Sequence, residues 1–288
     1  MAESLQPHAL VIGETKNSHQ VSQRLHLRGY QLHENPGRPT GRNSAKWGVI
    51  VAVKQGLFNV QNLSLPDALR GRAVALDLSI STVNHRTFSH RLIGAYAPWD
   101  PGGDDDAVLF WPAITDLCNT APYSWSISGD LNVSLSTMET SSSMPSLTRH
   151  LYTLFLRNTN AIDLWQTQSP VDIRHDWTYR SHDSTSLSII DRCATSRIGI
   201  LSGSIEVPNF FIPVTDHRPI SSLIVLSTPD SADMPYLPSE PPPSTYSPLC
   251  LRTTHSNIVT NPSQIFSLTL PGVPSLYLAI DLPGKTYY

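Results

Sequence analysis

Short apolar runs, each closed by a glycine, a proline or a polar residue, most constrain what this chain can fold into. Ala9-Leu10-Val11-Ile12-Gly13 reads as a buried strand and Trp47-Gly48-Val49-Ile50-Val51-Ala52-Val53 as a stronger one. Residues 72–80 alternate through Ala73, Ala75-Leu76 and Leu78, and Arg91-Leu92-Ile93-Gly94-Ala95-Tyr96 follows as a further strand. Trp125-Ser126-Ile127-Ser128 leads into a Gly-Asp turn, and strand signals return at 176–181, 187–193 and 220–226. Helical character covers residues 18–30, with Gly29 as a stop, and residues 145–158. It also covers 104–118, where Val108, Leu109, Ile114 and Leu117 share a face and Pro112 begins or interrupts the pattern. Strands interleaved with two or three helices predict an α/β sandwich rather than a helix bundle.

At 288 residues the chain is long enough for one large domain or two modest ones. Only 15% of residues are charged and the net charge is −3, so nothing in the balance marks the whole chain as a nucleic-acid binder. Cys118, Cys193 and Cys250 have neither metal-ligand spacing nor an even disulfide framework, which fits a reducing compartment. No apolar run is long enough to span a membrane, and Met1-Ala2-Glu3-Ser4-Leu5-Gln6-Pro7 lacks the regions of a signal peptide. The expectation is an intracellular protein, neither secreted nor membrane-bound, with the nucleus as a compatible location. Composition divides the chain near residue 226. Residues 1–226 carry the globular pattern, whereas 227–288 open with a Pro/Ser-rich stretch and continue through Pro-Gly breaks, which predicts a linker and a disordered tail.

The polar residues that close the apolar runs form an ordered set. Glu14 follows the first run and suits a hard cation such as Mg²⁺; a solvated loop glutamate is the structural alternative. Asp130 and Asn132, one residue apart, share a side of an extended segment, so one can handle water while the other holds an oxygen. A Gly-Asp turn with a capping Asn is the plainer account. His217, beside Asp216, can contact a developing phosphorane if a second acid holds its ring, and Asp191 is the candidate partner. Tyr96 can donate its phenol to a phosphate or simply fill the core. Residues 16 to 54 are locally basic, with Lys16, Arg24, Arg28, Arg38, Arg42, Lys46 and Lys54 against Glu34. They could track a nucleic-acid backbone or be a solvated helix and loop. Asp104-Asp105-Asp106 reads as a helix N-terminal charge cluster.

Five segments resemble, in order, the motifs of the endonuclease/exonuclease/phosphatase superfamily. They are Ile12-Gly13-Glu14-Thr15-Lys16, Gly94-Ala95-Tyr96-Ala97-Pro98, Ser128-Gly129-Asp130-Leu131-Asn132, Trp177 through Arg192 with Ile190-Asp191 near its end, and Thr215-Asp216-His217-Arg218-Pro219. The resemblance covers most of residues 8–226. It implies a DNase I-like, four-layered α/β sandwich of two packed, mostly antiparallel β-sheets flanked by helices, with the site at one end of the sheets. It further implies a Mg²⁺-dependent phosphodiester hydrolase, Mn²⁺ being the alternative ion. Glu14, Asp130, Asn132 and Asp216 would lie at the metal, and Asp130, Asn132, Tyr96, His217 and Asp191 would do the chemistry. Gly-Ala-Tyr-Ala-Pro-Trp and Gly-Asp-Leu-Asn are similar to endonuclease domains of non-LTR retroelements. That similarity implies DNA as the partner, with no membrane and no obligate protein partner.

The chain departs from the pattern in three places. No Trp/Phe-Asn-x-Asn strand precedes Glu14, so a central strand is expected to be missing and two strand edges to face each other unpaired. Trp99 stands where the family has Asn, and Ile189 where it has Arg. A catalytically impaired member that binds nucleic acid, or a decayed fragment, is therefore the alternative function. A phosphoinositide or sphingomyelin phosphoesterase ranks below both.

Overall fold

A computed structural model describes residues 7–20, 25, 27–41, 45–81, 87–100, 107–143, 146–168, 171–208, 216–227 and, for the backbone, 275–281. The strands run β1 (Ala9–Ile12), β2 (Tyr30–Asn35), β3 (Arg38–Pro39), β4 (Ala45–Lys46), β5 (Val49–Lys54), β6 (Asn59–Asn62), β7 (Ala73–Ser81) and β8 (Thr87–Tyr96). They continue as β9 (Ser124–Asp130), β10 (Ala161–Asp163), β11 (Tyr179–Arg180), β12 (Leu187–Ser188), β13 (Asp191–Ser196), β14 (Ile200–Glu206), β15 (Ser221–Leu226) and β16 (Ser275–Asp281). Helices α1 (Phe110–Asn119) and α2 (Ser146–Asn158) are long; α3 (Leu164–Thr167) and α4 (Ile173–Asp176) are single turns.

Two six-stranded sheets carry the fold. The first has the order β14-β15-β16-β1-β5-β2 and the second β10-β13-β9-β8-β7-β6. Only the β1–β16 and β8–β9 pairs in them are parallel. Period-two patterning builds the layers. In β7, Val74, Leu76 and Leu78 turn inward with Val11, Val51 and Val53 of the first sheet, while Ala73 and Ala75 turn outward. Small residues on that outer face let α1 and α2 approach, and Phe110, Trp111, Ile114, Tyr152 and Phe155 fill the layer. Buried aromatics of this size each contribute on the order of 1.5–3 kcal/mol. Pro112 is the third residue of α1, in the first turn, where its missing N–H costs no intrahelical bond. Leu10, Tyr30 and Ala52 cover the outer face of the first sheet. The expected mostly antiparallel sandwich is present.

Three expectations change. The unpaired edges foreseen beside β1 are both occupied, because Ser275–Asp281 lies between β1 and β15. Composition places that segment in a tail because its apolar run is short and bracketed by Pro-Gly, while its partners lie 50 or more residues away in β15 and 269 away in β1. The single strand foreseen over 187–193 breaks at Ile189 and Ile190, where the backbone leaves the small β11–β12 ribbon to join the second sheet. Over 176–181 only Tyr179 and Arg180 pair, preceded by α4. The helix expected over 18–30 includes residues 21–24 and 26, outside the described residues, as are Asp104-Asp105-Asp106.

His90 sits 2% exposed in β8 between two hydroxyls, Nδ1 2.9 Å from Ser124 Oγ and Nε2 2.8 Å from Ser126 Oγ. Burial pushes its pKa from 6.5 down to about 3. A base with a depressed folded-state pKa binds its proton only on unfolding, so stability falls as the pH drops below 6.5. By pH 5 this one group should cost about 2 kcal/mol. Thermal unfolding between pH 7.5 and 4.5 should therefore show a steeper acid loss in the wild type than in His90→Gln.

Candidate active site

The site forms where three strands of the second sheet end side by side. Parallel pairing of β8 with β9 places Tyr96 opposite Asp130, and antiparallel pairing of β9 with β13 places Asp191 opposite Asp130. Tyr96, Asp130 and Asp191 thus form one row across adjacent strands. Gly129 makes the row possible. Its φ is +148°, and a Cβ there would strike the Ala95 carbonyl oxygen.

Asp130 is 4% exposed, and its Oδ1 accepts the Asn132 N–H at 3.0 Å. Asn132 holds a left-handed φ of 51°, a conformation Asn tolerates, and its Nδ2 donates to the Ala97 carbonyl at 2.8 Å. Burial and, next, the Asp191 carboxylate raise the Asp130 pKa well above the ordinary carboxylate range. Asp191 is fully buried; its Oδ2 lies 2.8 Å from His217 Nδ1, while its Oδ1 has no hydrogen-bond partner among the described residues. Burial opposes charge on His217, but Asp191, Asp130 and Asp216 outweigh it and hold the imidazole pKa up to about 9. The His217 ring also packs against Tyr179, centroids 5.0 Å apart.

Glu14 comes from the other sheet. It follows β1 with φ 50°, an uncommon conformation for glutamate, in a loop held by Thr15 N–H to the Gly48 carbonyl (3.1 Å) and Lys16 N–H to the Trp47 carbonyl (2.7 Å). The Tyr96 hydroxyl donates to Glu14 Oε1 at 2.8 Å, and Lys16 Nζ lies 3.1 Å from Oε2. Burial, together with Asp130 and Glu14, pushes the Tyr96 phenol far up, so it stays a donor. Six of the seven residues singled out in the sequence therefore meet here: Glu14, Tyr96, Asp130, Asn132, Asp191 and His217. Asp216 does not join them by contact; it is exposed, and its carbonyl accepts the Arg180 N–H at 2.9 Å.

Carboxylate oxygens from Glu14 and Asp130 with the Asn132 amide oxygen are hard donors, the kind a Mg²⁺-sized ion takes. Among the described residues no three of His, Cys, Asp and Glu stand close enough to form a closed cation cage. The carboxyls nevertheless fit a cation electrostatically: Asp191 and Glu14 both push the Asp130 proton affinity upward, and a positive charge between them would relieve that. Lys16 Nζ already pairs with Glu14 Oε2.

Residues that the sequence reading passed over hold this row in place. Thr178 Oγ1 accepts the N–H groups of Ile190 (3.0 Å) and Asp191 (3.1 Å) where the chain leaves the ribbon. Trp165 Nε1 donates to the Asp191 carbonyl at 3.0 Å. Arg192 is fully buried between Asp163 and Glu139. The one available signal was the tight Trp177-Thr178-Tyr179 wording before the Asp191 segment. Of the basic stretch, Lys16 reaches the site and Arg38 lies 5.4 Å from the Trp47 ring centroid; Arg24 and Arg42 are outside the described residues.

No family model matches the chain, and no curated protein matches it in sequence. Solved structures do. The catalytic domain of Xenopus laevis APE2 is similar with a TM-score of 0.60 and 16% identity, over 86% of this chain and 91% of that one. The 3'-5' exonuclease NExo from Neisseria meningitidis is similar with a TM-score of 0.55 and 16% identity, over 75% of this chain and 88% of that one. The fold is the DNase I-like α/β sandwich that these structures share. No helix among the described residues is long and apolar enough to cross a membrane.

Removing the Thr178 hydroxyl should leave two buried N–H groups without an acceptor, each worth about 1–3 kcal/mol when orphaned. Thr178→Ala should lower the urea midpoint accordingly, and Thr178→Ser should recover most of it.

Proposed function

We propose that this chain is a metal-assisted phosphodiester hydrolase that cleaves DNA. The observation that carries this reading is the Tyr96–Asp130–Asp191 row with His217 hydrogen-bonded to Asp191, closed from the opposite sheet by Glu14. Similarity in fold to an APE2 catalytic domain and a 3'-5' exonuclease supports the reaction class, and the motif wording from Gly94 to Trp99 supports kinship with retroelement endonucleases.

Each group has a task suited to its surroundings. Asp130, set between Tyr96 and Asp191 in the row, takes a proton from water as the water oxygen bonds to phosphorus. The bond from phosphorus to the leaving oxygen breaks, and a proton from solvent completes the leaving alcohol. The Asn132 carboxamide is pinned by the Ala97 carbonyl, which accepts one Nδ2 hydrogen and leaves the other to donate to an oxygen of the same phosphate. His217, protonated up to about pH 9, faces the growing negative charge on the phosphoryl oxygens, with Asp191 holding its ring and charge. Tyr96 orients Glu14 by donating to it. Glu14 and Asp130, with Asn132, would hold Mg²⁺ or Mn²⁺, which polarises the phosphate and offsets charge in the transition state when bound. Lys16 and the residues around Trp47, next to Glu14 in the same loop contact, would meet the backbone of the nucleic acid.

Nicking of supercoiled plasmid by the full chain should require Mg²⁺ or Mn²⁺, stop with EDTA, and fall at least about 10²-fold in Asp130→Ala. Metal-independent nicking, or nicking that survives Asp130→Ala, would sink the assignment. A pH profile tests His217 separately. A base whose folded pKa is raised keeps its proton, and hence its task, until the pH passes that value. Activity should therefore decline above about pH 9 in the wild type and nearer 6.5 in Asp191→Asn.

A further inference from the structure

The first sheet depends on a strand that arrives last. Its order is β14-β15-β16-β1-β5-β2, so β1 pairs with β5 on one side and β16 on the other, and β15 with β14 and β16. Without β16 that sheet is two separate pieces, one of two strands and one of three. The ladder is continuous on both sides: Ala9↔Leu278 through Ile12↔Asp281 in parallel, and Ser221↔Ala279 through Val225↔Ser275 antiparallel. Both neighbours lead into the site. Glu14 lies two residues beyond the end of β1, and His217 four residues before the start of β15. Residues 228–274, rich in proline and serine, connect β15 to β16.

We propose that the slot between β1 and β15 is a strand-docking surface, that its occupant is Ser275–Asp281 of the same chain, and that docking assembles the site. Filling the slot registers the strand that leads to Glu14 against the strand that follows His217. Emptying it leaves two facing rows of unpaired N–H and C=O groups and uncouples the two residues within their own sheet. Loop-closure entropy grows only slowly with length, so a long connection closes this strand at little more cost than a short one. It also leaves the strand separable from the rest of the sheet, since its backbone ladders among the described residues are to β1 and β15. Withdrawal of the C-terminal segment is then an off-switch for the site. The coupling to activity rests on the functional reading above; the docking itself does not.

Hydrogen exchange with mass spectrometry on the full-length protein tests the docking without reference to catalysis. Amides of 275–281 should exchange at least ~10²-fold more slowly than those of an unstructured peptide. Leu278→Pro in the full chain should speed exchange in 275–281, 9–12 and 221–226 together, and lower plasmid nicking in step. An added synthetic peptide of residues 273–283 should restore both. Unprotected 275–281 in a wild type whose 9–12 and 221–226 are protected overturns the proposal, and so does a Leu278→Pro protein with unchanged exchange in all three segments. Should Leu278→Pro be insoluble, wild-type exchange alone decides the docking. Protection that appears only in a dimer assigns the strand to a second copy and overturns the same-chain occupant. A wild type with protected 275–281 and no nicking overturns the functional reading, and the coupling with it, while the docking stands.

Discussion

A single buried guanidinium holds the wall of the site. Arg192 has no exposed surface; its Nε lies 2.6 Å from Asp163 Oδ2, and its Nη1 lies 2.7 Å from Glu139 Oε2 and donates to the Val133 carbonyl at 3.2 Å. Tyr152 of α2 donates its hydroxyl to the same Asp163 oxygen at 2.6 Å, and Glu139 Oε2 also accepts the Leu135 N–H at 2.7 Å. Burial works against the charge on Arg192, and the two carboxylates outweigh it. Breaking such a pair from one side costs about 3–5 kcal/mol, because the remaining charge stays buried. The network therefore locks together β13, the strand end at Asp163, and the segment from Leu131 to Glu139. Those elements flank Asp130 and Asp191 directly, so the same ion pairs that stabilise the core fix the backbone of the row.

Register does the rest of the positioning. A one-residue slip between β9 and either neighbour would send alternate side chains to the opposite face and scatter Tyr96, Asp130 and Asp191. Several features forbid the slip. Gly129 packs against Ala95 in the one register its missing Cβ permits. Trp125, Ile127 and Phe155 fill the helix-facing layer, and Cys193 and Leu92 fill the inter-sheet layer. The hydrophobic pattern and the catalytic row are thus set by the same alternation.

Much of this was legible in the residues. The runs ending at Ile12, Tyr96, Asp130 and Leu226 are strands, and α1 and α2 lie where the apolar spacing put them. Six polar residues singled out from their positions after those runs do converge. The failures share a physical cause. Strand β2 reads Tyr-Gln-Leu-His-Glu-Asn, polar enough to pass for a loop, and becomes a strand because β5 offers it an edge. The partners of Arg192 lie 29 and 53 residues away, so no local pattern announces them. Ser275–Asp281 had composition against it and tertiary pairing in its favour.

The site straddles the two sheets, which makes the spacing between sheets a chemical variable. Glu14 belongs to the first sheet and Tyr96 to the second, and their 2.8 Å hydrogen bond bridges the gap at the end of the sandwich. How closely the layers approach is set in the core a few residues back. Gly94, two residues before Tyr96, faces Val51 and Val11; a Cβ there would sit 2.5 Å from the Val51 methyl and 3.0 Å from that of Val11. Real contacts of that kind are near 3.5–4.0 Å, so any side chain at 94 would wedge the sheets apart by roughly 1 Å. A displacement of that size is enough to cost about 10²-fold in a positioned reaction. The absence of a methyl group at Gly94 and the presence of valines at 11 and 51 are therefore part of the site, although none of them touches it.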